Sequence, residues 1–215
     1  MKDMMDELAA TTRETGTGRT PAGEGRRVVL RRTYPAGIAD VWDAITTAER
    51  ISRWFLPIEG DLRLGGRYQL EGNAGGEVLA CEPPHLLRIS WVMGEPAPES
   101  FSEVEVRLST VDGGTLFELE HTATVPPQMW DQFGPGAVGV GWDGALLGLA
   151  LHLASPGAEV STEDKMAFLM SDEMRGYLAA CSQAWGEAYR ASGANPEAVR
   201  ASVAATTAFY VPPAQ

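Results

Sequence analysis

The sequence has few cysteines, few basic residues and few histidines, and each shortage excludes a class of function. Only two cysteines, Cys81 and Cys181, occur in 215 residues, so neither a disulfide framework nor a cysteine-based zinc site is expected. Reduced, buried thiols in a cytoplasmic protein are the interpretation that this count favours. The 17 Lys and Arg residues against 29 Asp and Glu give a formal net charge of −12. This charge speaks against binding to nucleic acid or to an anionic membrane surface.

Signals for membrane insertion, metal binding and covalent catalysis are missing as well. The N-terminus lacks the apolar core of a signal peptide, and no apolar run approaches the length of a membrane span. The three histidines, His85, His121 and His152, stand far apart, and no carboxylate lies at a ligand-like interval from any of them. We therefore expect no metal and no cofactor. Ser, Cys and Lys occur in no nucleophile-elbow or base-paired context, so nothing marks an enzyme.

Residues 1–27 are predicted to form a flexible tail. Residues 11–27 are polar, rich in Gly and Thr, and of low hydrophobicity. Before them, Met1, Met4, Met5 and Leu8 fall at helical spacing. A short partner-binding helix is therefore the alternative to disorder at this end.

From Arg27 onward the pattern predicts a strand, a helical stretch and then a run of antiparallel strands. The strand ends at Pro35, and the helical pattern over residues 38–55 ends at Pro57. Five strand-like segments follow between residues 65 and 127, each ending in Gly, Pro or Asp-Gly. Their alternation predicts one wet face and one covered face. The covered face carries Tyr68, Leu70, Leu87, Ile89, Trp91, Val104, Val106, Leu108, Phe117, Leu119 and His121.

A helix near residues 141–153 is apolar on two opposite sides, which predicts that it is buried on both. One side can lie on the sheet, and the other needs a further layer. Gly144 and Gly148 leave room for a close neighbour. The two apolar stripes are Trp142, Leu146, Leu149 and Leu153 on one side, and Leu147 and Leu151 on the other.

The further layer is predicted to come from two helices near the C-terminus. Ser171 is the expected N-cap of the first, with acidic residues in its first turn. Asn195 is the expected N-cap of the second, with Pro196 at its first helical position.

Four short motifs stand in a characteristic order along the chain. They are Trp54-Phe55-Leu56-Pro57, then Asp61, Arg63, Gly65 and Gly66, then Pro83-Pro84, then Gly141-Trp142 with Leu146 and Leu149. Together they resemble the START-like (SRPBCC) superfamily, and most of all its branch named after the activator of Hsp-90 ATPase homologue. The resemblance covers roughly residues 28–153.

This resemblance implies an α+β helix-grip fold, in which a curved antiparallel sheet wraps around a C-terminal helix. It gives a grip domain over residues 28–154 and an unmatched helical extension over residues 155–215 that packs on the grip helix. The co-chaperone that names the branch binds Hsp-90 through a separate N-terminal domain, whereas this chain has a short polar tail there. Activation of Hsp-90 is therefore not expected.

The resemblance also implies a ligand cavity between sheet and helix. The candidate ligand-binding residues are Phe55, Tyr68, Trp91, Phe117, His121, Trp130, Phe133, Trp142, Leu146 and Leu149. The glycine-rich segment from Trp130 to Gly141 is expected either to gate the mouth of the cavity or to serve as a flexible link.

His121 is the one candidate for chemistry in this cavity. It could be a general base or could orient a ligand by hydrogen bonding, and a core histidine with satisfied nitrogens is the commoner alternative. The sequence favours non-catalytic binding of a small hydrophobic or aromatic ligand, for transport, sequestration or sensing. One alternative is a polyketide cyclase-like or aromatase-like enzyme, or a natural-product resistance protein, that uses His121. Another is an interaction module or homodimer, whose C-terminal apolar stripes would be exposed in a monomer.

Overall fold

One curved antiparallel sheet forms the frame of the molecule. The computed structural model describes residues 3–95, 100–155, 157 and 162–212. The strands are β1 (Thr12–Thr20), β2 (Gly23–Tyr34), β3 (Ile58–Gly60), β4 (Arg67–Leu70), β5 (Gly75–Glu82), β6 (Leu86–Ser90), β7 (Ser102–Val111) and β8 (Gly114–Ala123). They lie in the order β1-β2-β8-β7-β6-β5-β4-β3, and each neighbouring pair is antiparallel.

The helices lie against this sheet and against one another. They are α1 (Met4–Ala9), α2 (Ile38–Thr46), α3 (Ala48–Trp54), α4 (Pro127–Phe133), α5 (Gly136–Ala154), α6 (Thr162–Leu169), α7 (Asp172–Ala191) and α8 (Pro196–Tyr210). Helix α5 crosses the concave face of the sheet, and α7 and α8 follow it as the helical extension. The expected α+β helix-grip architecture is therefore confirmed.

The N-terminal segment is not the flexible tail that its composition predicted. Residues 4–9 form α1, and β1 pairs with β2 along its whole length, from Thr12 opposite Arg31 to Thr20 opposite Gly23. The prediction failed because β1 is an edge strand whose residues are only exposed or half-buried. Such a strand is held by its backbone ladder and needs no apolar side chains. Met1 lies outside the described residues.

The covered face of the sheet agrees with the predicted alternation. Val104, Val106 and Leu108 of β7 are buried, as are Phe117 and Leu119 of β8. The five predicted strands correspond to β4–β8. The three-residue strand β3 was not predicted, because it is too short to show a period.

Helix α5 is covered on two sides, as its stripes predicted. On one side Leu146 and Leu149 face the sheet, and the Tyr34 hydroxyl donates to the Leu146 carbonyl at 3.1 Å. On the other side α7 packs closely, and its Tyr177 hydroxyl donates to the Asp143 carbonyl at 3.1 Å. By length and composition α5 could cross a membrane, so the expectation that no apolar run approaches this length is wrong. Half of that stretch is buried inside the structure, as in the core helix of a soluble protein.

The helical extension has the N-caps that the sequence predicted. The Ser171 hydroxyl accepts from the Met174 amide at 3.1 Å, and the Asn195 side chain accepts from the Glu197 amide at 2.8 Å. The stripe of α7 is buried within the same chain, with Trp185 only 1% exposed. The exposure that an interaction module would require is therefore absent from α7, and homodimerisation stays a prediction.

Glycines of α5 permit close approaches by neighbouring elements, of which only the one at Gly148 was predicted. A Cβ added at Gly148 would lie 2.5 Å from the Trp54 carbonyl oxygen, so α3 approaches closely there. Gly144 was expected to do the same but has no neighbour within 4 Å. A close approach occurs at Gly139 instead, where an added Cβ would overlap the indole of Trp185.

This difference predicts opposite effects of the same substitution at two positions of one helix. Gly139→Ala is expected to lower the free energy of unfolding by about 1–3 kcal/mol, because the methyl group displaces the buried Trp185 ring. Gly144→Ala is expected to raise it by about 0.5–1 kcal/mol, since alanine is the better helix former and meets no neighbour. Urea unfolding followed by circular dichroism measures both. Equal effects at the two positions would contradict the packing described for Gly139.

Candidate ligand-binding site

An apolar cavity lies between the concave face of the sheet and helix α5. Its volume is about 110 Å³. Two of its lining residues carry hydroxyls, and both are satisfied: Thr46 donates to the Trp42 carbonyl at 2.7 Å and Tyr68 to the Ser90 carbonyl at 2.8 Å. A space this apolar stays dry and favours apolar occupants. The apolar lining comprises Ile45, Ile51, Trp54, Phe55, Ile58, Leu62, Tyr68, Leu70, Val78, Leu87, Ile89, Trp91, Val104, Val106, Phe117, Leu119, Trp142, Ala145, Leu146 and Leu149.

A larger groove opens to solvent beside this cavity. Its volume is about 590 Å³, which falls within the usual range for sites of small molecules. The start of α5 forms one side, and the ends of β7 and β8 form the other. Its described lining comprises Phe55, Asn73, Trp91, Val92, Met93, Glu95, Ser100, Phe101, Ser102, His121, Ala123, Thr124, Ala137, Val138, Gly141, Trp142 and Tyr210.

Three aromatic rings separate the cavity from the groove. Phe55, Trp91 and Trp142 line both spaces, and we call them the aromatic wall. The ring centroids of Trp91 and Trp142 are 4.8 Å apart, and those of Phe55 and Trp91 are 6.4 Å apart. The ring planes of these two pairs are tilted by 52° and 31°, so the wall is an angled apolar surface against which the rings of an aromatic ligand can pack.

His121 lies at the edge of the aromatic wall with both ring nitrogens engaged. The Trp142 indole N–H donates to its Nδ1 at 3.1 Å, and its Nε2 is 2.8 Å from the Ser102 hydroxyl. The side chain is 7% exposed, and burial lowers the pKa of His121 to about 4. Its imidazole is therefore neutral at pH 7 and has no free lone pair with which to act as a base.

Most of the predicted site residues line the cavity, the groove or both. The cavity is lined by Phe55, Tyr68, Trp91, Phe117, Trp142, Leu146 and Leu149, and the groove by Phe55, Trp91, His121 and Trp142. Trp130 and Phe133 line neither of these two spaces.

Trp130 and Phe133 belong to helix α4, which packs on the extension. The Trp130 ring meets Tyr189 edge-on at 5.7 Å, and the Arg26 guanidinium lies over it at 4.5 Å. Phe133 meets Phe209 at 5.8 Å.

The glycine-rich segment after Phe133 is neither a gate nor a flexible link. From Gly136 onward it forms the first turns of α5, which therefore begins before the predicted Gly141. Gly136 itself packs against Thr206 of α8. The glycines permit helix packing, whereas their number in sequence indicated a loop.

Ser102 and Tyr210 line the groove but were not predicted. Ser102 lies two residues before Val104 on β7, so strand parity could have placed it on the covered face. Tyr210, at the end of α8, reaches the groove because its hydroxyl donates to the Ala137 carbonyl at 2.6 Å. No local pattern signals that contact, because it joins residues 73 positions apart.

The other depressions and polar clusters of the described residues fit a ligand less well. A cleft of about 490 Å³ at β3–β5 is lined by polar residues and glycines, with Tyr68 and Val92 as its apolar members. It therefore offers little apolar area to drive binding. Within the described part of the chain, His, Cys, Asp and Glu form no group that could hold a metal ion.

Comparison with known proteins finds a matching family and several similar solved structures. Residues 35–154 match the family described as Activator of Hsp90 ATPase homolog 1-like protein. The crystal structure of CalU16 from Micromonospora echinospora is 41% identical, covers 84% of this chain and 99% of its own, and superposes with a TM-score of 0.65. The solution structure of CalU16 is also 41% identical, covers 85% of this chain and 97% of its own, and has a TM-score of 0.68.

More distant structures share the fold alone. Protein MLL2253 from Mesorhizobium loti is 23% identical, covers 62% of this chain and 100% of its own, and has a TM-score of 0.52. DynU16, a protein of the dynemicin biosynthetic locus, is 18% identical, covers 68% of this chain and 48% of its own, and has a TM-score of 0.50. No curated protein matches the sequence.

Proposed function

This chain belongs to the family of activator of Hsp90 ATPase homolog 1-like proteins, and from that premise we propose that it binds a small, flat, apolar ligand without catalysing a reaction. The family name assigns no chaperone activity, because a fold does not determine a function. The proposal concerns the groove and its aromatic wall. Transport, sequestration or sensing of such a ligand in the cytoplasm belongs to the same proposal.

The observation that carries this proposal is the aromatic wall between the apolar cavity and the groove. The cavity of about 110 Å³ is too small for a multi-ring ligand, whereas the groove of about 590 Å³ has room for one. A ring system packed on Trp91 and Trp142 would remove apolar area of the ligand and of the two indoles from water. The ligand is therefore expected in the groove, with an apolar edge directed at the cavity.

The state of His121 favours binding over catalysis. A cyclase-like mechanism needs a group that takes a proton, and His121 is the candidate in this site. Its Nδ1 accepts from Trp142, and its pKa of about 4 makes it a weak base. The hydrogen bond from Trp142 to His121 fixes the orientation of both rings, which suits a rigid wall. We therefore propose no enzymatic activity.

The proposal is tested by the binding of fluorene, a flat hydrocarbon of three fused rings, in equilibrium dialysis. Val138 lines the groove and is 40% exposed, so Val138→Trp can fill part of the groove without disturbing the core. We expect this variant to weaken fluorene binding by about tenfold, equivalent to roughly 55 Å² of apolar contact. Met129→Trp is the matched control, because Met129 is 48% exposed and lies outside the groove.

Two results would overturn the proposal. Absence of saturable fluorene binding to the unmodified protein would mean that no apolar site exists. Equal affinities in the Val138→Trp and Met129→Trp variants would mean that fluorene binds elsewhere.

A further inference from the structure

The hydrogen bonds around His121 determine where its proton lies. An indole N–H can only donate, so the His121 Nδ1 that faces Trp142 at 3.1 Å carries no hydrogen. A neutral imidazole has one ring hydrogen, which is therefore on Nε2. That N–H donates to the Ser102 hydroxyl oxygen at 2.8 Å. The two hydrogen bonds therefore run in one direction: Trp142 donates to His121, and His121 donates to Ser102.

This direction leaves the hydroxyl hydrogen of Ser102 available. Among the described residues, the Ser102 hydroxyl makes no hydrogen bond other than the one to His121. The neighbouring groove hydroxyls are engaged differently: Thr124 donates to the Phe101 carbonyl at 3.3 Å, and Tyr210 donates to the Ala137 carbonyl. Ser102 therefore supplies a hydrogen-bond donor at the groove surface. Polarisation along a chain of hydrogen bonds strengthens such a donor.

The donor stands beside the aromatic wall. The Trp91 amide donates to the Ser102 carbonyl at 2.8 Å, so the two residues are neighbours on adjacent segments. The His121 ring is 5.9 Å from that of Trp142 and 6.4 Å from that of Trp91. A ring system lying on the wall would therefore bring its edge, where substituents lie in plane, close to the Ser102 hydroxyl.

The charge of the groove restricts what this edge can carry. Among the described residues that line the groove there is no Lys or Arg, and Glu95 is acidic. A carboxylate or phosphate would lose its hydration there without gaining an ionic partner. A neutral acceptor, such as a carbonyl oxygen, needs only one donor. It would take the place of solvent at the Ser102 hydroxyl.

We propose that the groove selects aromatic ligands that carry a neutral carbonyl oxygen at the edge of the ring system, and that Ser102 recognises this oxygen. The proposal rests on the proposed function, because it specifies the ligand class of the same groove. Ser102 is then a specificity-determining residue, and His121 and Trp142 are positioning residues that orient its hydroxyl.

The test compares two probes that differ by the carbonyl group, fluorene and 9-fluorenone, in equilibrium dialysis. Ser102→Ala is expected to weaken 9-fluorenone binding by about 3-fold to 10-fold, the effect of one neutral hydrogen bond, and to leave fluorene binding within about twofold. Ser102→Thr retains the hydroxyl and should restore most of the preference. Tyr210→Phe is the matched control, because its hydroxyl already donates to Ala137 and its loss should change both probes equally.

The outcomes separate the two proposals. If neither probe binds the unmodified protein, the proposed function fails and this inference with it. If both bind and Ser102→Ala shifts them by the same factor, the groove binds apolar ligands but Ser102 recognises no carbonyl, and the inference alone is overturned. A merely structural role of Ser102 would also give that equal shift.

Discussion

Replacing Asp143 by alanine is expected to lower the free energy of unfolding by about 3–5 kcal/mol, the usual cost of removing one partner of a buried ion pair. Asp143 is 1% exposed on α5, and the Arg13 side chain, 7% exposed on β1, pairs with it. Arg13 donates through Nε at 3.1 Å and through Nη2 at 2.9 Å to one oxygen, and the Trp185 indole donates to the other at 2.9 Å. One carboxylate therefore joins strand β1, helix α5 and helix α7 of the extension.

The large loss follows from what remains after the substitution. The guanidinium of Arg13 stays buried without its counter-charge, and the Trp185 N–H loses its acceptor. Burial raises the pKa of Asp143, whereas Arg13 and Trp185 oppose that rise by stabilising the carboxylate. Urea unfolding followed by circular dichroism measures the change.

Two variants show whether the loss comes from the buried pair. In an Arg13→Met background, Asp143→Ala should cost much less, because no charge is left unpaired. Asp61→Ala removes a carboxylate from the exposed pair with Arg63, 2.7 Å apart, and should leave the unfolding midpoint unchanged. A loss below about 1 kcal/mol for Asp143→Ala would contradict the role described for this pair.

Acidification between pH 6.5 and pH 4 is expected to remove about 3 kcal/mol of stability through His121 alone. Burial lowers the pKa of His121 from 6.5 to about 4 in the folded protein. Between these values the unfolded chain binds a proton at this histidine and the folded chain does not. The contribution of His121 is therefore complete above pH 6.5 and is lost as the pH falls toward 4.

The variant His121→Gln separates this effect from the titration of other groups. Its amide can accept from Trp142 but does not titrate in this range. His152, whose pKa burial also lowers, and the carboxylates contribute equally to both proteins. The difference in unfolding free energy between the two proteins, measured in urea at several pH values, should therefore decrease from pH 7 to pH 4. A difference that is independent of pH would show that His121 is not buried as a neutral ring.

The parts of the fold that the sequence predicted are those with a strong local signal. The alternation of Val104, Val106 and Leu108 identified the covered face of β7, and the two stripes of α5 identified a helix buried on both sides. Ser171 and Asn195 act at the predicted helix starts. Each of these signals lies within a few residues of its effect.

The features that were missed depend on partners far away in sequence. Strand β1 is polar, because an edge strand gains its stability from pairing with β2 rather than from its own side chains. The glycines at 136 and 139 suggested a loop, since the sequence does not show that Thr206 and Trp185 occupy the space above them. The orientation of His121 depends on the donor Trp142, 21 residues away.

The indole N–H signals of the six tryptophans, followed by ¹H–¹⁵N NMR during titration with fluorene, test the central claim most directly. Trp91 and Trp142 belong to the aromatic wall, whereas Trp130 packs on Tyr189 of α7 and Trp185 is buried between α7 and α5. We expect the signals of Trp91 and Trp142 to shift with saturation and those of Trp130 and Trp185 to stay in place. Saturable binding that leaves Trp91 and Trp142 unchanged would contradict a ligand site at this wall.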